Sequence, residues 1–250
     1  MLLIENVFLW LRQLKRHFRS KARLIGSLGQ PLLFLFALGF GLGPVFQQAG
    51  RGNYIQFLVP GVIAMTILFT GVFSGIEIIW DKRFGFLKET LVAPISRFQI
   101  MIGKTLGGAT VAMIQGLIVL GISSLIGFKI ENPSLLPLMF LFMFLIALLF
   151  TAFGTAIASV LEDMRGFQLI MNFLVMPLFF LSGALFPLEG LPKVIVIISK
   201  INPLSYGVDA LRAVAVNGSY FGLFNDFLVL SVITFLLLII GSYLFSKIQI

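Results

Sequence analysis

Gly103-Lys104-Thr105 is the stretch of this chain that comes nearest to a chemical motif, the end of a phosphate-binding loop. In such a loop backbone amides cradle phosphates and the lysine reaches their outer oxygens, and a further glycine stands five residues before the first of the three. Position 98 is Phe, and the residues after Thr105 run into an apolar stretch, so no nucleotide site is expected here. Glu162 and Asp163 are adjacent carboxylates, but neighbouring side chains on a helix diverge by about 100°. They make a poor acid–base pair, and a tight cytoplasmic turn beside Arg165 is the expected reading. His17 is the only histidine and there is no cysteine, which excludes disulfides, zinc sites and a Ser-His-Asp set; His17 itself reads as polar surface.

Two further ionisable residues lie near the ends of apolar stretches. Glu77 and Lys104 could pair across a helix hairpin, or each could reach the membrane interface alone. Charged residues within spans are functional candidates by default. The middle of the apolar stretches is almost free of charge, whereas an ion-coupled secondary transporter usually needs carboxylates there. The chain thus has neither catalytic nor metal-ligating residues of its own.

These residues hang on a very apolar frame. Hydrophobic residues make up 59% of the 250 and charged ones 11%, which places the chain in the membrane class. A helix needs roughly 20 apolar residues to cross the bilayer core. Windows of that kind fall at Ile25–Phe46, Tyr54–Trp80, Phe98–Phe128, Leu135–Leu161, Phe167–Pro187 and Phe227–Ser246, giving six expected spans. Runs such as Leu138–Phe150 are apolar throughout, without the alternation of a membrane barrel strand, so an all-α integral membrane fold is expected. With no linker and no obvious repeat, residues 1–250 read as a single transmembrane domain. No cleavable signal is expected, because the early apolar residues precede the basic cluster.

The formal charge of +8 sets topology and calls for no nucleic acid partner. Arg12, Lys15, Arg16, Arg19, Lys21 and Arg23 precede the first span, and Lys82, Arg83, Lys88 and Arg97 separate the second from the third. Positive residues stay cytoplasmic, so both termini and residues 81–97 are expected inside. Residues 1–24 carry Val7, Leu11, Leu14, Phe18 and Ala22 at helical spacing beside a basic stripe, the pattern of an amphipathic helix on anionic membrane lipids. A plain topology signal is the alternative.

Residues 188–225 tempt a further span, but Lys200, Asn202, Pro203, Asp209 and Arg212 break every window. Two short outer helices are expected, the second capped by Asn202 with Pro203 at its first position. Asp209 and Arg212 fall three apart and can pair. A re-entrant hairpin dipping in from outside fits as well. In the fourth and fifth spans Phe140, Phe142, Phe144, Phe150, Phe153, Phe173, Phe179 and Phe180 could line a path for greasy molecules, with Phe144, Phe153, Phe173 and Phe180 as candidates, or face lipid and neighbouring helices.

The segment Asp81–Arg97 is too polar for hydrocarbon and too short for a domain. It offers Phe84, Phe86 and Leu87 within a rim of charges, the makings of a docking handle, or of an ordinary solvated loop. A membrane chain with such a handle and no chemistry takes its energy from elsewhere. Arg83-Phe84-Gly85-Phe86-Leu87-Lys88-Glu89-Thr90-Leu91 followed by Ala93-Pro94-Ile95-Ser96 resembles the signature after the second span of type-two ABC exporter permeases. Phe179-Phe180-Leu181-Ser182-Gly183-Ala184-Leu185-Phe186-Pro187, with Ile201–Tyr206 and Asp209–Arg212, is similar to that family's fifth span end and outer re-entrant helices. Its wording looks most like the drug-resistance and lipo-oligosaccharide branch.

The resemblance implies a permease subunit of the bacterial or archaeal inner membrane. It would pair with a second copy of itself and bind two copies of an ABC ATPase subunit that holds ATP and Mg. It assigns contact with that ATPase to Arg83, Phe84, Phe86, Lys88 and Glu89, and it places Asn202, Pro203, Tyr206, Asp209 and Arg212 on the outer helix. The expected activity is export of an amphipathic drug, antibiotic, lipid or glycolipid. A polysaccharide or lipid-linked glycan exporter of the same family, an ion-coupled secondary transporter and a non-transporting scaffold are the rivals.

Overall fold

Apolar runs of 20 or more residues can satisfy their backbone in lipid only as helices or closed barrels. The computed structural model, which describes residues 2–19, 21–50, 52–86 and 96–248, resolves this as helices, with no strand among the described residues. They are α1 (Leu2–Arg19), α2 (Lys21–Gln48), α3 (Tyr54–Ser74), α4 (Ile76–Arg83) and α5 (Arg97–Leu125). After a 3-10 turn at Pro133–Leu135 come α6 (Leu136–Val160), α7 (Met164–Phe180), α8 (Lys193–Ile201), α9 (Pro203–Val216) and α10 (Leu223–Ser246).

Five stretches are long and apolar enough to span: Ile25–Gln48, Tyr54–Arg83, Arg97–Leu125, Pro133–Val160 and Leu223–Ser246. They match the first, second, third, fourth and sixth expected windows. The fifth window, Phe167–Pro187, yields only the 17 residues of α7. At 1.5 Å per residue that is about 26 Å, the short end of spanning lengths. Its end is chemical: Pro177 sits in the last turns, Asn202 donates to Leu178 O at 2.6 Å, and Gly183 takes a φ of 76°, a left-handed turn that glycine allows without strain. The chain then returns through α8 and α9, which meet at 89° as expected for short or re-entrant helices.

Local signals fix several other ends. Ser96 and Gln99 form a reciprocal capping box at the start of α5. Asn202 caps α9 through Leu204 N at 3.0 Å, with Pro203 at the first turn, as its sequence predicts. Asp163 caps α7 by accepting from Gly166 N at 2.8 Å. Those backbone donors, first Gly166 and then Arg165, hold its carboxyl below the usual carboxylate range.

Span two differs from expectation at its far end. The helix continues through Asp81, Lys82 and Arg83, so the handle begins three residues later than the polarity of the sequence predicts. Asp81 is buried there, which shows why a charged residue tolerates this place: it has partners.

α3 is the axle of the bundle. Leu58, Val59, Val62, Ile63, Ile67 and Leu68 on it are fully buried, and α2, α5, α6 and α9 pack around it. At the break between α3 and α4 its backbone meets that of α6. A Cβ on Gly154 would run into the Val72 carbonyl, and one on Gly75 would strike the Gly154 carbonyl. Such close approach drives helix association where the hydrophobic effect between helices is absent. Gly154→Val is therefore expected to cost about 3 kcal/mol or more in detergent unfolding. Gly121→Ala, which meets nothing within 4 Å, is expected to be neutral by the same measurement. By contrast α2 and α10 turn Leu33, Phe36, Phe40, Phe235, Ile239 and Ile240 outward, as lipid-facing helices do.

Candidate functional site

The root of the handle is a buried charge cluster. Asp81 lies between three cations: Lys104 bonds it directly, and Arg16 and Arg12 stand 3.5 and 3.6 Å away. Asp81 and Lys104 are each 4% exposed. Removing either would strand a buried charge. The sequence leaves open whether Lys104 pairs with Glu77 or reaches the interface alone; in the structure Lys104 bonds Asp81, one turn further along the same face of α4 as Glu77. Glu77 lines the same small cleft with Arg12, Gln13 and Arg16.

Beyond this root the handle presents aromatics. Phe84 is 56% exposed and Phe86 47%, while Arg83 is exposed beside them. Phe84 stacks on Trp80 with ring centres 5.2 Å apart, and Arg12 lies 5.7 Å from the Phe86 ring. Gly85, at φ 79°, makes the turn between them. Lys88 and Glu89 lie outside the described residues. On the far side Arg97 donates to Ser246 O and, at 3.0 Å, to Ile248 O, anchoring the segment's end to the end of α10.

Directly above the root opens a cavity of about 780 Å³ between α1, α2, α3, α4, α5 and α7. That is ample for a drug-sized molecule. Its lining mixes amides and hydroxyls (Gln13, Ser27, Gln30, Thr70, Gln168, Asn172) with Phe69, Phe73 and Trp80, and has Glu77 at its edge. None of the candidate phenylalanines lines it. Phe173 and Phe180 face outward from α7, and Phe144 and Phe153 are half-buried against the core. Those four side chains go to lipid or to packing, and the cavity is walled by polar residues of α1, α2 and α7 together with Phe69, Phe73 and Trp80.

His17 belongs to that wall. It is 7% exposed, and its Nε2 lies 3.1 Å from Gln115 Nε2, so the expectation of a surface histidine is corrected. The reason is that α1 packs along α5 as well as being amphipathic. Trp10 donates to Thr110 Oγ1 at 2.9 Å, and a Cβ on Gly107 would meet Gln13.

At the opposite end of the bundle a second cavity, of about 380 Å³, is lined by Phe57, Ser182, Asp209, Arg212 and Ser219 among others. Asp209 and Arg212 do not pair there. Asp209 accepts from Tyr220 N at 2.7 Å, Phe221 N at 2.8 Å and Ser219 Oγ at 3.1 Å. Arg212 donates to Gly183 O at 3.1 Å and Phe57 O at 3.3 Å, with its guanidinium 3.9 Å from the Phe57 ring. Each side chain finds a fixed set of backbone partners, which outcompetes a flexible pair three residues apart. Tyr206 donates to Lys200 O at 2.7 Å and stacks on Phe221 at 4.6 Å. Asp209, Arg212 and Tyr206, expected on an outer helix, thus knit α8, α9 and the turn before α10 into one cap.

Sequence reasoning missed the cavity, although its signal was present. Gln13 and His17 on α1 and Gln168 and Asn172 on α7 are spaced by four, and Ser27 and Gln30 on α2 by three. Each pair marks a polar stripe on an otherwise apolar face.

Comparisons with known proteins agree with one another. The family described as ABC-2 type transporter matches residues 5–216. A putative transport permease ycf38 of Cyanophora paradoxa is 31% identical over 213 residues, covering 84% of this chain and 71% of the relative. Nodulation protein J of Rhizobium leguminosarum bv. trifolii is 27% identical over 197 residues, covering 77% and 74%. A ycf38 protein of Pyropia yezoensis is 29% identical over 200 residues, covering 78% and 68%.

Proposed function

We propose, from the premise that this chain belongs to the ABC-2 type transporter family, that it is the membrane permease subunit of an ATP-driven exporter of an amphipathic substrate. Permeases of the family generally lack an ATPase site and normally work with an ATP-binding subunit. Trp80 carries the proposal: it lines the large cavity and stacks on Phe84 of the handle. A push on the handle is therefore felt in the cavity within one helical turn.

In this reading two permease copies each dock one ATPase subunit through Arg83, Phe84 and Phe86, with Lys88 and Glu89 completing the contact. The ATPase subunits hold ATP and Mg, and their closure on ATP displaces the handles. The cavity then changes from inward to outward access. Transport is directional because the substrate binds one state better than the other. The chain sits in a bacterial or archaeal inner membrane with both termini cytoplasmic. In a chain without cysteine, Gly85→Cys is expected to react with an impermeant maleimide from the cytoplasmic side only, and Gly190→Cys from the outer side only; the reverse pattern contradicts the topology.

The cavity lining supports the substrate class. Phe69, Phe73 and Trp80 suit an apolar moiety, and the amides of Gln30, Gln168 and Asn172 suit a hydroxyl-rich head, which favours a glycolipid over a plain lipid. The test is transport by proteoliposomes carrying the permease and its ATPase subunit, with and without ATP. Export that requires ATP supports the reading. Export driven by an ion gradient alone supports a secondary transporter, and none of either, in vesicles that bind substrate, supports a scaffold.

A further inference from the structure

Lys82 does something that docking of the handle does not require. Its ammonium donates to three main-chain carbonyls where α6 ends: Ser159 O at 2.6 Å, Ala158 O at 3.2 Å and Leu161 O at 3.3 Å. A helix C-terminus leaves its last carbonyls without intrahelical partners, and a cation there satisfies them and meets the negative end of the helix dipole. The carbonyl of Leu161 has a second significance. Leu161, Glu162 and Asp163 are the non-helical link between α6 and α7. α7 then supplies Gln168, Asn172 and Met176 to the wall of the large cavity.

The surroundings separate the body that carries the handle from the helix that follows the link. α4 and α6 meet backbone to backbone at Gly75 and Gly154, so the root of the handle and the end of span four form one body. α7 joins that body by its three-residue link, buries one stripe (Phe167, Met171, Val175 and Phe179) against the bundle, and leaves its opposite face open, where Phe173 is 79% exposed. The link sets the direction in which α7 leaves the body, and Lys82 grips the link.

We infer that Lys82 is a positioning residue that ties the handle to the link at the start of α7, so that a displacement of the handle is delivered to that wall of the cavity. The inference rests on the proposed exporter function for its consequence, but the clamp itself is a property of the chain alone. Lys82 adjoins Arg83 in the chain, but its ammonium is turned inward onto carbonyls of its own chain.

The experiment places nitroxide labels at Leu169→Cys on α7 and Leu125→Cys at the end of α5, both exposed positions in a chain free of cysteine. Interspin distances are measured in nanodiscs, first on the permease without an ATPase subunit. Lys82→Gln is expected to broaden the distance distribution and Lys82→Arg to restore it, while thermal unfolding of all three proteins stays alike. An unchanged distribution in Lys82→Gln overturns the clamp, whatever the protein transports.

The second arm adds the ATPase subunit and a non-hydrolysable ATP analogue. The wild type is expected to show a shift in the distance that Lys82→Gln loses, with ATP hydrolysis retained and substrate exported per ATP lowered about tenfold as the charge-assisted grip on the link is lost. A shift and export ratio equal to wild type in Lys82→Gln overturn the transmission. A wild type that binds no ATPase subunit would overturn the exporter reading and the transmission with it, while the first arm still decides the clamp.

Discussion

Asp81→Ala is expected to destabilise the protein by about 3–5 kcal/mol, because it leaves a buried lysine without the carboxylate it bonds. The cause is local. Lys104 is nine-tenths or more buried, and its direct partner is Asp81. Arg12 and Arg16 also lose the charge that draws α1 against the root of the handle, so the damage should spread to the α1–α5 contact. A paired replacement separates charge from packing. Asp81→Leu together with Lys104→Met removes both ions and keeps the volume, and is expected to recover most of the loss, since buried ion pairs replaced by apolar groups are often neutral or better. Unfolding in detergent, followed by tryptophan fluorescence, reads both variants. A double variant as unstable as Asp81→Ala would mean that the cluster contributes something other than mutual charge satisfaction.

The second large effect concerns docking and not stability. Phe84→Ala combined with Phe86→Ala is expected to abolish co-purification of the ATPase subunit while leaving the fold intact. Both rings are about half exposed, so the chain itself loses little core. Aromatic anchors at the centre of an interface are worth about 2 kcal/mol or more each, roughly thirtyfold in affinity for one ring. Arg83→Glu, at the exposed rim, should weaken association less and make it more sensitive to salt. Binding measured with purified subunits distinguishes the two. If the double alanine variant binds as tightly as wild type, the handle is not the docking element.

Much of the fold was legible because lipid simplifies the problem. With backbone groups satisfied only inside helices, apolar runs translate almost directly into spans, and five of the six windows correspond to long helices. The fifth window was overestimated because apolarity continues past Phe180 while the backbone does not; Gly183 and the bond from Asn202 end the helix by conformation and hydrogen bonding, which hydropathy does not weigh. The start of α9 was readable for the opposite reason, since a capping Asn followed by Pro acts within three residues.

The functional features divide along the same line. Phe84 and Phe86 stand out as aromatics in a polar segment, and the structure exposes them. Which carboxylate holds Lys104, and where Asp209 and Arg212 find partners, depend on side chains and carbonyls distant in sequence: Lys104 bonds Asp81 across a hairpin, and Arg212 reaches Phe57 and Gly183. The cavity was hidden because attention to rare charges and abundant phenylalanines passed over neutral amides, the groups that line it.

The measurement that bears most directly on the central claim is affinity purification of the tagged chain from native membranes in mild detergent, with mass spectrometry of its partners. The account predicts a soluble ATPase carrying a P-loop, in near-equal amount to the permease, retained by the wild type and lost from the Phe84→Ala, Phe86→Ala variant. Repeated recovery of well-folded permease with no such subunit would contradict it.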